Sequence, residues 1–257
     1  MKLLLVCEGE GDDDDLIALT LRVLHEAHPW MSGLEAIEQP TPAWWLFEHG
    51  RRFLSWHDVG KLCDRRGIPR VQGLGMHLGR RAATRLTRLL STPDVLPPGE
   101  AVRVVWAHDD DGVAGWRESL ETAREEWLAW LDAEARANRR PKTDADIAIG
   151  VASPEHEAWV LAAFAPASDA EREAHARTST RLGFDPCLQG ERLTSKRETD
   201  SKDAKRALRE VCEDHERRRA LFVEVDLDLL RARGVAVGLT AFLDELKARV
   251  ASAYGSA

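Results

Sequence analysis

Apolar positions run almost without a break through Lys2–Cys7, the pattern of a short strand buried on both faces. Glu8-Gly9-Glu10-Gly11 reads as a turn, and Asp12, Asp13, Asp14 and Asp15 open a helix whose Leu16, Leu19, Val23 and Leu24 recur at helical spacing. Residues 34–39 give a weaker strand pattern, closed by Pro40 and Pro42. A tryptophan-rich segment (Trp44, Trp45, Trp56) follows, and then a basic helix over residues 80–90. Pro93, Pro97, Pro98 and Gly99 mark a break.

Beyond that break, residues 102–107 predict a central strand and residues 114–136 a long helix with Trp116, Leu120, Trp127 and Trp130 as its apolar set. Arg139-Arg140-Pro141 stops this helix. Residues 147–152 predict a fourth strand, followed by a helix with Ser153 as N-cap and Pro154 in its first position. The alternation of strands and helices predicts an α/β fold, a mostly parallel four-stranded sheet flanked by helices on both faces. From Pro166 the chain turns helical and charged, with one further strand pattern at residues 221–225. Residues 1–165 thus read as an α/β domain, and residues 166–257 as a C-terminal helical subregion packed on it.

Composition narrows the classes. The chain has 257 residues, 44% of them hydrophobic and 31% charged, ample for a core with a well-solvated surface. A net charge of −8 argues against coating nucleic acid by bulk electrostatics, yet leaves room for a local basic track. Cys7, Cys63, Cys187 and Cys212 are scattered without a C-x-x-C pair, which points to reduced structural thiols. MKLLLVC is too short and too soon acidic for a signal peptide. No apolar run approaches the roughly 18 residues of a membrane span, so the expectation is a soluble, cytoplasmic protein.

Carboxylates stand where three of the strands end: Glu8 after the first, Asp109 and Asp111 after the third, Glu155 and Glu157 after the fourth. Parallel strands deliver their C-terminal ends to one edge of a sheet, where ligand crevices form. Carboxylates gathered there raise one another's pKa unless a hard cation such as Mg²⁺ or Mn²⁺ lies between them. Helix dipoles account for Glu155 and Asp12, and the run Asp12–Asp15 reads as a solvated helix start. Such dipoles account poorly for three adjacent charges at Asp109-Asp110-Asp111.

VCEGEGD, HDDDG and SPEHEAW, in this order and strand context, resemble the Toprim superfamily. The resemblance implies a compact parallel sheet with a glutamate after strand one (Glu8) and a D-x-D pair after strand three (Asp109, Asp111). Glu155 and Glu157 match the acidic element of the nuclease branch related to the OLD (overcoming lysogenization defect) proteins. Small stand-alone Toprim-like proteins share a P-E-x-E-x-W segment and a C-terminal F-L-x-x-L helix, here Pro154 to Trp159 and Phe242 to Leu246. The resemblance covers residues 1–165 and, more loosely, the tail.

It implies a Mg²⁺- or Mn²⁺-dependent nuclease, with DNA ahead of RNA as substrate, in a prokaryotic anti-phage defence or mobile-element system with a partner ATPase. Glu8, Asp109 and Asp111 would be catalytic, and these three with Glu155 and Glu157 would bind metal. The alternative is a non-catalytic Toprim-like binding subunit of a multi-protein complex. D-x-D-G also occurs in haloacid-dehalogenase-type phosphotransferases, but there it follows the first strand. Homo-oligomerisation is left open.

Arg80, Arg81, Arg85 and Arg88, with Arg65, Arg66 and Arg70 nearby, make a basic track beside Gly73, Gly75 and Gly79, where a phosphate backbone could approach. Lys202 and Lys205 form a second candidate phosphate contact. Trp106, Trp116, Trp127, Trp130 and Trp159 fall at core positions, while Trp44, Trp45 and Trp56 are candidates for nucleotide contact. His108 reads as a structural histidine beside the acidic run. No G-x-x-x-x-G-K-[ST] is present, so ATP hydrolysis would need another chain. The single tyrosine, Tyr254, lies too near the end to support a topoisomerase.

Overall fold

The computed structural model describes residues 1–9, 11–29, 43–44, 51–71, 78–92, 95, 101–139 and 142–254. Its sheet contains β1 (Lys2–Cys7), β2 (Ala43–Trp44), β3 (Phe53–Ser55), β4 (Val102–Asp109) and β5 (Ala145–Ala152), and every pairing is parallel. β1 lies between β4 and an outer position that two segments share. β2 pairs with the first half of β1 and β3 with the second, Leu5 opposite Phe53 and Cys7 opposite Ser55. The sheet thus has four positions, in the order β2/β3, β1, β4, β5. Residues 34–39, expected as a strand, lie outside the described residues, as do Glu10, Trp45, Gly73, Gly75, Arg140, Pro141 and the prolines near residue 97.

Strand alternation builds two cores. Leu3, Leu5, Val105, Ala107 and Ala148 face one side, where they join α1 (Asp12–Ala27), α5 (His156–Ala163) and the C-terminal helices. Leu4, Val6, Val104, Trp106, Ile147 and Ile149 face the other and join α2 (Trp56–Arg65), α3 (Leu78–Leu90) and α4 (Trp116–Arg136). The fold is therefore α/β, a parallel sheet with helices on both faces.

The C-terminal region supplies α6 (Asp169–Leu182), α7 (Ala204–Val211), α8 (His215–Glu224), α9 (Leu227–Arg233) and α10 (Leu239–Glu245), after which one π turn and one 3₁₀ turn reach Tyr254. Its apolar residues share the first core with β1 and α1. Gly150 on β5 faces Trp159 and Phe242, which stack 5.1 Å apart. A Cβ on Gly150 would come within 2.7 Å of the first ring and 2.8 Å of the second. Trp159 Nε1 donates to the Val237 carbonyl at 2.7 Å. The Pro154–Trp159 and Phe242–Leu246 segments thus meet in one seam.

Two expectations fail. Residues 221–225 form no strand; most of them lie in α8, which Asp214 caps by accepting the Glu216 and Arg217 amides while Leu221 and Phe222 bury. α5 begins at His156, not at Pro154. Its N-cap position is Glu155, which is extended, and the Ser153 amide is taken by Val237. No helix among the described residues is long and apolar enough to cross a membrane.

Candidate functional site

The register that sets Val6 opposite Trp106 and Asp109 opposite Ala152 brings the ends of β1, β4 and β5 to one edge. Glu8 leaves β1 there. Its Oε1 accepts the Asp109 amide at 3.2 Å and lies 2.8 Å from His108 Nδ1. Burial pushes the Glu8 carboxyl up, but His108 and the Asp109 amide outweigh this and hold it below the usual carboxylate range. His108 is buried, its ring 4.1 Å from that of Trp116 and 4.9 Å from that of Trp56. Its ring thus touches both this aromatic wall and Glu8.

Asp109 behaves oppositely. Burial, then the charges of Glu8, Glu157 and Asp12, push its carboxyl up to about 8, against the opposing charge of His156. Asp12 is raised by burial and by Asp15 and Glu8, although it accepts the Gly9 amide at 3.1 Å and feels His156. His156, on the first turn of α5, bonds Asp15 Oδ2 at 2.9 Å. Burial alone would lower it; Asp15, Asp12 and Asp109 prevail and raise it to about 10, so it is a cation at neutral pH.

Glu155 is 8% exposed, and its Oε2 is buried with no hydrogen-bond partner among the described residues. Burial and the charge of Glu157 push it up. Lys205, at the start of α7, is raised by Glu157 and, against burial, by Glu155 and Asp109. Cys7, Glu8, Asp12, His108, Asp109 and His156 line a pocket of about 10 Å³, room for about one water-sized particle.

Not every predicted residue joins. Asp111 takes the left-handed conformation (φ 55°), is half-exposed, and its Oδ1 meets Lys196 Nζ at 3.1 Å. It sits at the rim near Glu155, whose charge it influences. Asp110 accepts the Gly112 amide. The aspartates opening α1 are not a solvated helix start. Asp13 and Asp14 pair with Arg52, Asp14 also faces Arg219, Asp15 holds His156, and Asp12 turns into the pocket.

The basic track is largely consumed within the chain. Arg80 pairs with Glu126, Arg85 with Asp64 and the Gly60 carbonyl, and Arg70 with Asp64; Arg88 reaches the Pro69 carbonyl at 3.4 Å, and Arg81 is half-buried. Lys202 is exposed, in a turn where its amide bonds Asp200. Trp106, Trp127 and Trp159 are buried as expected, but Trp130 is 40% exposed. Trp56 packs 5.1 Å from Trp106 and belongs to the wall behind His108, not to an open nucleotide platform.

Carboxylate oxygens suit a hard cation, and the orphan Glu155 oxygen and the raised Asp109 carboxyl are relieved by one. The spacing is open, however. Among the described residues one trio of potential ligand atoms lies within 4.8 Å, and it is elsewhere, at His175, Asp185 and Cys187. The carboxylates at the sheet edge stand wider, so a cation there would take one or two of them directly and complete its shell with water outside the small pocket. No family model, curated protein or solved structure matches this chain.

Proposed function

We propose that the sheet-edge centre makes this chain a Mg²⁺- or Mn²⁺-dependent hydrolase of phosphodiester bonds, with DNA as substrate. The observation that carries the reading is the gathering of Glu8, Asp12 and Asp109 around one small pocket, with the Asp109 carboxyl pushed up to about 8. A bound divalent cation would offset charge on the scissile phosphate and acidify a water. Glu8, kept ionised by His108 and the Asp109 amide, is ready to ligate or to accept a proton. Asp109 and Asp12 are the other candidates for direct contact with the ion, and Glu155 and Glu157 form an adjoining pair. Lys205 and Lys196 stand beside these carboxylates, where a phosphate would meet them. Asp111 serves here as the partner of Lys196 and not as an inner ligand.

DNA as substrate, the anti-phage or mobile-element setting and the partner ATPase follow from the Toprim resemblance alone, and the cytoplasmic location from the scattered cysteines and the lack of a long apolar run. The second reading, a binding subunit without chemistry of its own, is favoured by the wide carboxylate spacing and by the intrachain pairing of the α3 arginines. A cleavage assay beside a metal titration separates the two. Metal-dependent cleavage should be abolished in the Asp109→Asn, Asp111→Asn double variant with the fold intact. Cleavage that survives this change removes the catalytic assignment, and metal binding without turnover favours the binding subunit.

A further inference from the structure

We propose that His175, Asp185 and Cys187 form a second metal site, selective for Zn²⁺ or a metal of similar softness, at the C-terminal end of α6. Their ligand atoms all lie within 4.8 Å of one another. The local sequence builds this juxtaposition. α6 ends at Gly183, whose left-handed backbone (φ 75°) and amide bond to Ser179 turn the chain back on itself. Asp185 then returns alongside His175, with its Oδ1 2.8 Å from His175 Nε2. The same oxygen accepts the Cys187 amide at 2.8 Å, and the Asp185 carbonyl accepts the amides of Leu188 and Gln189, so the turn is rigid.

The donor set is nitrogen, oxygen and sulfur, the combination that suits zinc and is wrong for magnesium. A neutral imidazole, a carboxylate and a thiolate balance a divalent charge, so the complex is neutral and its burial costs little. Cys187 is 4% exposed, whereas the side chains of His175 and Asp185 are 23% and 32% exposed. The site therefore opens to solvent on one side, where a water can take the fourth tetrahedral position.

Bond lengths of about 2.0–2.3 Å place tetrahedral ligands roughly 3.3–3.6 Å apart. Side-chain shifts of about 1 Å and the opening of the His175–Asp185 hydrogen bond reach that geometry. Without metal, burial and the nearby Asp185 hold the Cys187 thiol protonated; binding would displace that proton into solvent. The site is independent of the proposed activity, and its donor set differs from the carboxylates proposed as ligands at the sheet edge.

Titration of the metal-free full chain with Co²⁺, followed by Zn²⁺ displacement, tests it. The expected result is a thiolate-to-cobalt absorption band that saturates at one equivalent, resists excess Mg²⁺ and disappears on adding Zn²⁺. Cys187→Ser should lose the band, while Cys7→Ser, which changes the thiol in the sheet-edge pocket, should keep it. His175→Gln, at a partly exposed position on α6, should also lose the band without disturbing the core that holds Cys187. Absence of the band in the unaltered chain, or its survival in Cys187→Ser or His175→Gln, overturns the proposal.

Discussion

The two ends of the same sheet treat charge in opposite ways. Where β4 and β5 begin, Arg103 donates to the Asp144 carboxylate at 2.7 Å and to the carbonyls of Arg249 and Asp144. Arg124, only 5% exposed, donates to the Ile147 carbonyl and to Glu245 Oε2, and Arg249 reaches both Asp146 and Glu245. Cations and carboxylates alternate, and the network ties α4 and α10 to the strands. Where the strands end, Glu8, Asp12, Asp109, Glu155 and Glu157 gather, with His156 and Lys205 as the cations acting on them. A matched network serves the fold. An excess of like charge opposes folding, and under the proposed function a cation arriving from solution would offset it.

The matched end should be the costlier one to break. Arg124→Ala leaves Glu245 to Arg249 alone and removes the buried donor to the Ile147 carbonyl, and should destabilise by about 2–3 kcal/mol in chemical denaturation. A loss below about 1 kcal/mol, the usual worth of an exposed pair, would erase the contrast. Gly150→Ala probes the seam between β5 and the C-terminal helices without touching charge. Overpacking against Trp159 and Phe242 should cost about 1–3 kcal/mol, visible as a lower denaturant midpoint with an unchanged slope.

The unmatched end should respond in the other direction. Asp109 has a folded-state pKa raised from 3.8 to about 8, so the folded protein binds this proton more tightly than the unfolded chain. Its contribution to stability is therefore lost as pH rises between those values. In metal-free buffer at pH 8, Asp109→Asn should stabilise by at least about 1 kcal/mol, the worth of one pKa unit, and should flatten the pH profile. A variant less stable than the parent at pH 8 would place Asp109 among the matched charges.

Much of this was legible in the chain, and the gaps have physical causes. The β1, β4 and β5 patterns are long enough to read, and strand-end position alone marked Glu8, Asp109, Glu155 and Glu157. β2 and β3 have two and three residues, too few for any periodicity. Residues 221–225 carry valines that suit a strand, but the Asp214 cap and the burial of Leu221 and Phe222 decide for helix. Which aspartate of Asp109-Asp110-Asp111 turns inward depends on a positive φ at Asp111, and no hydrophobic pattern reports that angle. The roles of Asp12, Asp15 and His156, and the pairing of the α3 arginines, depend on partners distant in sequence.

The central claim is that the sheet edge holds a hard divalent cation through Asp109. Thermal unfolding of the metal-free protein against increasing Mg²⁺ or Mn²⁺ tests it most directly, with Asp109→Asn as control and Cys187→Ser as the background that removes the α6 site. A cation that binds the folded state stabilises it by about 2.7 kcal/mol at a hundred times its dissociation constant. The account predicts saturable stabilisation in the parent and its loss in Asp109→Asn. No stabilisation by either ion, or equal stabilisation of both proteins, would contradict it.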